Sequence, residues 1–284
     1  MTKTPPVVLT IAGFDPSSGA GVTADIKTIA AHNCYGVAAI TALTSQSTAG
    51  VRRVEPTDHG LLRETLQELA SDVEVAAVHL GMLANAKLVD AVADFLREHP
   101  RCPVVLDPIF RSTSGAELLD SKGREALKAK LLPLAAAITP NTDEAALLCG
   151  APVTNLEEMR AAANRLHELG AQGVVITGGH LEKAIDLLSF RGSKGIEQEV
   201  FRAEKIKSNS THGTGCAFST AITCHLAHQR GLPEAVLLAK AYIMAAISNA
   251  HPLGKGKGPV NHLYRMGQAR RVGATPAAET DAGH

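Results

Sequence analysis

Short β-branched runs alternate along the chain with longer amphipathic segments, and this alternation is the feature that most restricts its fold. Parallel strands need long crossover connections, which helices supply at this spacing. Runs such as Val104-Val105-Leu106 are apolar on both faces, as in a sheet covered by helices on both sides. We therefore predict a three-layer α/β/α fold with a mainly parallel central sheet. The predicted strands are 7–12, 36–43, 75–80, 103–106, 135–138 and 173–176, and the predicted helices are 21–32, 58–71, 85–98, 121–131, 141–149 and 155–169.

The pattern changes in the last third of the chain. Residues 184–206 predict antiparallel edge strands, and two helices follow over 215–229 and 233–250. We find no internal repeat, and the residues after the last helix become small and polar. The sequence predicts one domain over 1–265 and a disordered tail over 266–284.

The charge balance excludes several kinds of partner. The chain has 28 Lys and Arg residues and 28 Asp and Glu residues, so its formal net charge is zero, whereas nucleic-acid and polybasic membrane binding both need a cationic surplus. Only 3% of the residues are aromatic and none is Trp, so platforms for base stacking are scarce. No apolar stretch approaches the roughly 20 residues that span a bilayer. We expect neither a nucleic-acid nor a membrane partner.

Cysteine usage and the N-terminus indicate the compartment. The five cysteines are an odd number without a C-x-x-C pair, which fits a reducing environment better than a disulfide framework. The first residues lack the pattern of a signal peptide. We therefore expect a cytoplasmic protein.

Small or polar residues follow almost every predicted parallel strand. In an open parallel sheet these strand ends share one edge, and ligands bind in the crevice outside it. Turns at this place are polar in any α/β protein. The recurrence of side chains, rather than of bare glycines, favours a real shared site. The segments are Gly13-Phe14-Asp15, Thr44-Ser45-Gln46, Gly81-Met82, Asp107-Pro108, Thr139-Pro140-Asn141 and Thr177-Gly178-Gly179.

A glycine pair at the start of helix 215–229 predicts an anion site. Gly213 and Gly215 let backbone N–H groups approach an anion, and the helix dipole adds positive potential. The same dipole is expected to lower the pKa of the Cys216 thiol. The alternative is an ordinary helix entry with a buried structural cysteine. The glycine pair favours the anion site.

Asp25 belongs to the first predicted helix and lies beside the apolar face of Val22, Ile26 and Ile29. A carboxylate there either complements the positive helix N-terminus or contacts a ligand close to the core. The pattern alone leaves these two interpretations equal.

Other motifs give weak signals. Gly19-Ala-Gly21-Val-Thr-Ala24 formally matches a dinucleotide fingerprint, but the strand before it is too distant and the second strand does not end in an acidic residue. Cys224, His225 and His228 could suggest zinc, but no matching ligand pair occurs elsewhere. The phosphate-binding G-x-x-x-x-G-K-[ST] loop and the hydrolase G-x-S-x-G elbow are absent from the sequence.

Six motifs in order resemble the hydroxymethylpyrimidine/phosphomethylpyrimidine kinase family of thiamine biosynthesis, within the ribokinase-like superfamily. The resemblance extends over about residues 7–262. The motifs are Thr10-Ile-Ala-Gly-Phe-Asp-Pro-Ser-Ser-Gly-Ala-Gly21, Ala24-Asp-Ile-Lys-Thr28, Gly81-Met-Leu83, Thr139-Pro-Asn141 with Glu144, Gly178-Gly-His180 and Thr211-His-Gly-Thr-Gly-Cys216.

This resemblance implies a ribokinase-like fold and a homodimer. It also implies ATP- and Mg²⁺-dependent phosphorylation of 4-amino-5-hydroxymethyl-2-methylpyrimidine, and then of its monophosphate to the diphosphate. The resemblance implies that Cys216 is the general base and that the anion hole is formed by Gly213, Thr214 and Gly215. It implies that the residues around the pyrimidine are Gln46, Asp25, Gly13 and Met82. It also implies that the nucleotide is bound by Asn141, Thr177, Thr211 and Lys240, and the metal by Glu144 and Asp107.

Three positions depart from the family pattern: Phe14 replaces a serine, Ser18 a glycine and Thr113 a common lysine. Phe14 either stacks on the substrate ring or packs against its loop. A kinase for pyridoxal or pyridoxine is the nearest alternative, and the donor and acceptor groups of Gln46 favour an aminopyrimidine instead. A catalytically inactive ligand sensor and an NAD-dependent dehydrogenase are further alternatives.

Overall fold

A nine-stranded sheet forms the centre of the computed structural model, which describes residues 4–99, 102–112, 114–179, 184–203, 206 and 208–266. The strand order is β3-β2-β1-β4-β5-β6-β7-β8-β9. The strands are β1 Val7–Phe14, β2 Tyr35–Ser47, β3 Gly50–Pro56, β4 Val75–Leu80, β5 Val104–Leu106, β6 Ala137–Ile138, β7 Gly173–Gly178, β8 Ala184–Gly192 and β9 Gly195–Ala203.

Six neighbouring strands pair in parallel, in the order β2-β1-β4-β5-β6-β7 across the sheet. Antiparallel strands flank them, with β3 beside β2 and with β8 and then β9 beside β7. The predicted mainly parallel sheet and the antiparallel pair after residue 184 are therefore confirmed. β3 was not predicted, because this edge strand is only partly covered and lacks an apolar alternation.

Helices cover both faces of the sheet, as predicted. α1, α7 and α8 pack on one face, and the remaining helices pack on the other. The helices are α1 Gly21–Ala31, α2 His59–Asp72, α3 Ala86–Glu98, α4 Ser121–Ala126, α5 Thr142–Cys149, α6 Leu156–Glu168, α7 Thr214–Ala227 and α8 Leu232–Ser248, and Leu127–Leu131 continues α4 as a π-turn.

The sheet has a separate apolar core on each face. Leu9, Val78 and Leu106 contribute to the core under α2, α3 and α6, whereas Val105 and Val175 face α7 and α8. Adjacent strand residues such as Val105 and Leu106 point to opposite faces, so both must be apolar. Each fully buried Leu or Val contributes about 1.5–3 kcal/mol relative to exposure.

Asparagine side chains cap the start of two helices. Asn85 caps α3 and Asn155 caps α6, each accepting a hydrogen bond from a backbone N–H of the first turn. None of the described helices is long and apolar enough to cross a bilayer. Residues 267–284, which make up nearly all of the predicted tail, lie outside the described residues.

Candidate active site

A cleft of about 1260 Å³ opens at the carboxyl ends of the parallel strands, between the β1–α1 loop, the start of α5 and the start of α7. The structure brings all fourteen predicted site residues to this cleft. They are Gly13, Asp25, Gln46, Met82, Asp107, Asn141, Glu144, Thr177, Thr211, Gly213, Thr214, Gly215, Cys216 and Lys240.

Two glycine loops meet at the mouth of the cleft. Gly213 has a φ of +74°, a left-handed conformation that favours glycine, and a side chain there would collide with the carbonyl of Gly19. Gly213 is the N-cap of α7, so the β1–α1 loop is in contact with the start of that helix. The unpaired N–H groups of the first turn of α7 are therefore available to an anion in the cleft.

Asp15 ties these two loops together. Its carboxylate accepts hydrogen bonds from the backbone N–H of Ser17 at 2.8 Å and of Ala20 at 3.0 Å, and it lies 2.8 Å from Nε2 of His212. Burial opposes its charge, but the bonds from His212 and Ser17 outweigh burial and lower the pKa of Asp15. Neither Asp15 nor His212 was among the predicted site residues, although both stand in the quoted motifs.

The Gln46 amide faces His212 across the cleft, with its Nε2 3.2 Å from Nε2 of His212. The His212 nitrogen that faces the Asp15 carboxylate carries a proton, so two donors would oppose each other. Turning the amide over lets its oxygen share the single Nε2 proton of His212 with Asp15. The amide nitrogen then donates to Thr44, whose hydroxyl already donates to the Phe14 carbonyl at 2.9 Å. Gln46 then keeps one N–H and one lone pair for a ligand.

Asp25 lies fully buried at the floor of the cleft. Its oxygens accept hydrogen bonds from the hydroxyls of Thr10 at 2.7 Å and Thr220 at 2.9 Å, and Nδ1 of His79 lies at 3.4 Å. Asp25 is not in the first turn of α1, so the helix-complementation interpretation is wrong. Both oxygens have protein partners, and a ligand contact would use a second lone pair.

Cys216 is in the first turn of α7, but its acidity is opposite to our expectation. Burial and the nearby carboxylates of Asp107 and Asp25 raise the pKa of the thiol well above its ordinary value. The expected lowering was wrong because the helix dipole is weaker than burial combined with several carboxylates.

Asp107 and Glu144 form an acidic wall beside the anion site. Burial raises the pKa of Asp107 to about 6, and burial with the charge of Asp107 raises that of Glu144 to about 8. Glu144 forms a capping box with Asn141: each side chain accepts the other's backbone N–H at 2.9 Å. Carboxylate oxygens are the ligands that Mg²⁺ prefers, and a divalent cation would compensate both buried acids, so the donor set fits Mg²⁺.

The predicted nucleotide residues border the cleft beside β7 and α8. Thr177 pairs with Asn141, and the Thr211 carbonyl accepts the hydroxyl proton of Thr214 at 2.8 Å. The Lys240 ammonium pairs with Asp186, whose other oxygen accepts the Gly178 N–H at 3.0 Å. Asp186 was missed because it lies on the antiparallel strand β8 rather than at the end of a parallel strand.

The zinc interpretation of Cys224, His225 and His228 concerned a helix face expected to be packed or solvated. Cys224 and His225 are buried in the structure, and among the described residues no three His, Cys, Asp or Glu side chains are grouped as metal ligands. Thr113 and His180 lie outside the described residues.

Comparisons with known proteins give a consistent family. A family model described as phosphomethylpyrimidine kinase matches residues 15–261. The chain is 43% identical over 265 residues to the thiamine biosynthesis bifunctional protein ThiED of Geobacter sulfurreducens, covering 93% of this chain and 53% of that protein. It therefore spans about half the length of that relative. It is 40% identical over 266 residues to the hydroxymethylpyrimidine/phosphomethylpyrimidine kinase of Streptomyces coelicolor, covering 93% and 97% of the two chains.

A solved structure of similar fold is the ADP complex of Bacillus subtilis pyridoxal kinase. It matches with a TM-score of 0.84 and 36% sequence identity, over 93% of this chain and 100% of that chain. The fold is the ribokinase-like one that the sequence motifs implied.

Proposed function

Since the chain belongs to the phosphomethylpyrimidine kinase family, we propose that its cleft holds ATP and 4-amino-5-hydroxymethyl-2-methylpyrimidine together. The chain is a kinase of thiamine biosynthesis that phosphorylates the pyrimidine alcohol and then its monophosphate. The proposal rests on one observation: the start of α7, the acidic wall of Asp107 and Glu144, and the hydrogen-bonded amide of Gln46 all line the same cleft.

The start of α7 stabilises the transferred phosphoryl group. Gly213, Thr214 and Gly215 line the cleft at the start of α7, where the helix dipole places its positive end. In phosphoryl transfer the charge is spread over the equatorial oxygens, so fixed donors contribute more than covalent chemistry. Thr177, Thr211, Asn141 and Lys240 extend this site along the rest of the nucleotide.

Cys216 is the proton acceptor that we propose for the substrate hydroxyl. Its first-turn position in α7, within the cleft and beside the anion site, supports this role. Its raised pKa means that it is a thiol before substrates bind, so it must release its own proton to solvent before it can accept the proton of the alcohol. A cation held by Asp107 and Glu144 would favour the thiolate, because it would neutralise carboxylates that oppose the negative sulfur. The alcohol proton leaves late in a loose transition state, so the acceptor is needed only after most of the bond to phosphorus has formed. Asp107 and Glu144 would hold Mg²⁺, which neutralises phosphate charge when bound.

Gln46 recognises the pyrimidine edge. With the amide oriented by His212 and Thr44, its free N–H and lone pair complement a ring nitrogen and an exocyclic amino group. Gly13 and Met82 border the same part of the cleft, where a side chain at Gly13 would come within 2.6 Å of the Met82 methyl group. A side chain at residue 13 would therefore displace Met82 from this part of the cleft.

Vitamin B6 phosphorylation is a second candidate. The observation that favours it is the likeness to the Bacillus subtilis pyridoxal kinase structure. Pyridoxal has a ring oxygen substituent instead of the amino group, so the Gln46 amide distinguishes the two rings through its acceptor side, the oxygen to which an amino group would donate. An inactive ligand sensor is disfavoured by the intact anion site and acidic wall.

We also infer that the protein is a cytoplasmic homodimer that binds no nucleic acid. Large apolar side chains are exposed on β2 and α2, namely Tyr35, Leu43 and Leu61. Such residues support a protein contact at this edge of the sheet. Light scattering on the full chain tests the dimer: a mass of twice 29.6 kDa supports it, and a monomer at all concentrations contradicts it.

One assay tests the proposed function. ATP and the pyrimidine alcohol are incubated with the protein, the mono- and diphosphates are separated, and pyridoxal is tested in parallel. We expect sequential appearance of both pyrimidine products. A higher kcat/KM for pyridoxal would assign the second function, and no product from either alcohol would refute both.

A further inference from the structure

His79 is a fully buried histidine in the middle of the molecule, on β4, with its ring between α1 and α7. Nothing in the proposed chemistry so far uses it. An ionisable residue in an otherwise apolar strand is costly unless its polar atoms are satisfied. Its two ring nitrogens face different parts of the cleft floor, and their hydrogen bonds show what they carry.

Nδ1 of His79 is a donor. It lies 3.1 Å from the Thr10 hydroxyl and 3.4 Å from an oxygen of Asp25. The Thr10 proton is already used, because that hydroxyl donates to Asp25 at 2.7 Å. A hydroxyl lone pair and a carboxylate therefore face Nδ1, and both require a proton on it.

Nε2 of His79 is a donor as well. It lies 2.9 Å from the Ser219 hydroxyl. That hydroxyl has two acceptors of its own, Asp107 Oδ2 at 3.3 Å and the Cys216 carbonyl at 3.0 Å. If Nε2 had no proton, the hydroxyl would donate to it and both of these oxygens would face hydroxyl lone pairs. With a proton on Nε2, the hydroxyl accepts from the ring and donates to one of the two oxygens, which satisfies more of the contacts. With both nitrogens protonated, the ring is an imidazolium.

We propose that His79 is a positioning residue, a buried imidazolium that holds the start of α7 against the acidic wall of the cleft through Ser219 in the second turn, whose hydroxyl contacts the Cys216 carbonyl. The inference rests on the proposed function, because it concerns where the start of α7 presents Cys216 and the anion site. Asp25, bound by Thr220 of α7, anchors the other side of the same ring.

The charges around the ring support this assignment. Burial alone would lower the pKa of His79, but the charge and hydrogen bond of Asp25 outweigh burial and raise it. The groups that face the ring are Asp25 from α1, Thr10 from β1, Ser219 from α7 and, through Ser219, Asp107 after β5. Two carboxylates thus share one buried cation.

The chain contains a matched control. His167 is also buried, and its Nε2 lies 3.0 Å from the hydroxyl of Ser189 while its Nδ1 lies 2.8 Å from the Ala171 carbonyl. This His–Ser pair has the same chemistry as His79 and Ser219, but it does not border the cleft. Removing it measures the cost of losing a buried His–Ser bond in itself.

The test compares Ser219→Ala with Ser189→Ala, using whichever alcohol the wild type phosphorylates. We expect Ser219→Ala to lower kcat about 10- to 100-fold with KM changed less than about threefold, because a small displacement of reacting groups has effects of this size. Ser189→Ala should leave both constants within about twofold while lowering Tm similarly. Equal kcat in the two variants would overturn the proposal.

A second comparison addresses the charge. His79→Lys retains a buried cation and is expected to keep more activity than the neutral His79→Gln at equal folded fraction, and the reverse order would overturn the proposal. NMR spectra of ¹⁵N-histidine-labelled protein measure the protonation of each ring nitrogen. The signals of His79 are those present in the wild type and missing from His79→Gln, and both should be signals of protonated nitrogens. A signal from one unprotonated nitrogen would refute the imidazolium. A wild type inactive on both alcohols would instead refute the proposed function, and the nitrogen signals would still be readable.

Discussion

The two ends of α7 bury ionisable groups in different ways. At its start, Asp25 and His79 belong to a continuous hydrogen-bond network that borders the cleft. At its end, His32 packs edge-on against His225 with ring centroids 5.0 Å apart. Nε2 of His32 and Nε2 of His262 have no hydrogen-bond partner among the described residues. One helix thus connects a charged cluster with a continuous hydrogen-bond network to a cluster in which His32 and His262 each form a hydrogen bond through Nδ1 alone.

Opposite charge states follow from this difference. Burial lowers the pKa of both His225 and His262 to about 4, because no carboxylate compensates their positive form strongly enough. At the cleft end, Asp25 raises the pKa of His79. Burial by itself therefore does not identify a functional histidine, and the partners of the ring decide. Variants at the two ends should accordingly affect different quantities.

The largest contrast is expected between two cysteines of α7. Cys216→Ala should lower kcat by about 10²- to 10⁴-fold, the usual contribution of a proton acceptor, with substrate KM changed less than about threefold. Cys224→Ala, at the histidine end, should leave kcat unchanged and lower only the stability, since Cys224 is a buried packing residue. Steady-state kinetics and thermal unfolding separate the two. Near-normal turnover of Cys216→Ala would remove it as the proton acceptor.

The cleft shows how far reasoning from sequence can reach. Strand ends such as Asp107 and Thr177 could be assigned to one cleft because parallel strands share an edge, a rule that needs no knowledge of side-chain contacts. The Asp15–His212–Gln46 group could not be predicted, because it depends on where three distant loops meet.

The acidity of Cys216 illustrates the same limit. The helix dipole is a local property and can be read from the glycines at the start of α7. The carboxylates that oppose it come from α1, β5 and α5, and only the folded structure brings them beside the sulfur.

A useful signal for His79 was available, since it is an ionisable residue in the apolar run 75–80 and directly precedes the Leu80-Gly81-Met82 strand end.

The buried histidines at the C-terminal end of α7 should affect how the stability of the protein depends on pH. His225 has a pKa of about 4 in the folded protein and about 6.5 when unfolded. Between these values the unfolded chain binds a proton that the folded one does not, so stability falls as the pH is lowered from about 6.5 to about 4. The full contribution is up to about 3 kcal/mol. In urea unfolding, the free energy of unfolding of His225→Gln should fall less than that of the wild type between about pH 7 and about pH 5.

An exposed histidine provides the control for that measurement. His251→Gln should lose stability on acidification as the wild type does, because His251 is exposed. An unchanged acid dependence in His225→Gln would contradict a neutral buried His225. Acidification should have the opposite effect on stability through Glu144, at the cleft end. Its pKa of about 8 in the folded protein is above the value in the unfolded chain, so the folded protein binds a proton first. Stability therefore rises through Glu144 as the pH falls from about 8 to about 4.5.

Gln46→Ala is expected to have a smaller effect, confined to one substrate. Removing the amide should raise KM for the pyrimidine about 10- to 30-fold, the loss of one or two hydrogen bonds, while KM for ATP stays the same. Gln172→Ala, an exposed glutamine, is the matched control and should change neither constant. Initial rates over a range of both substrates give the answer. Unchanged pyrimidine KM in Gln46→Ala would exclude it from recognition.

The smallest effect should come from Lys240, whose ammonium already pairs with Asp186 at the side of the cleft. Since this pair compensates the charge before a nucleotide binds, Lys240→Met should raise KM for ATP only about threefold and leave kcat nearly unchanged. Asp186 would then be unpaired close to the nucleotide, so Asp186→Asn in the same chain should restore the ATP KM. Lys122→Met, at an exposed position, controls for the general loss of a positive charge. A Lys240→Met KM raised a hundredfold would mean that the ammonium leaves Asp186 to bind phosphate directly.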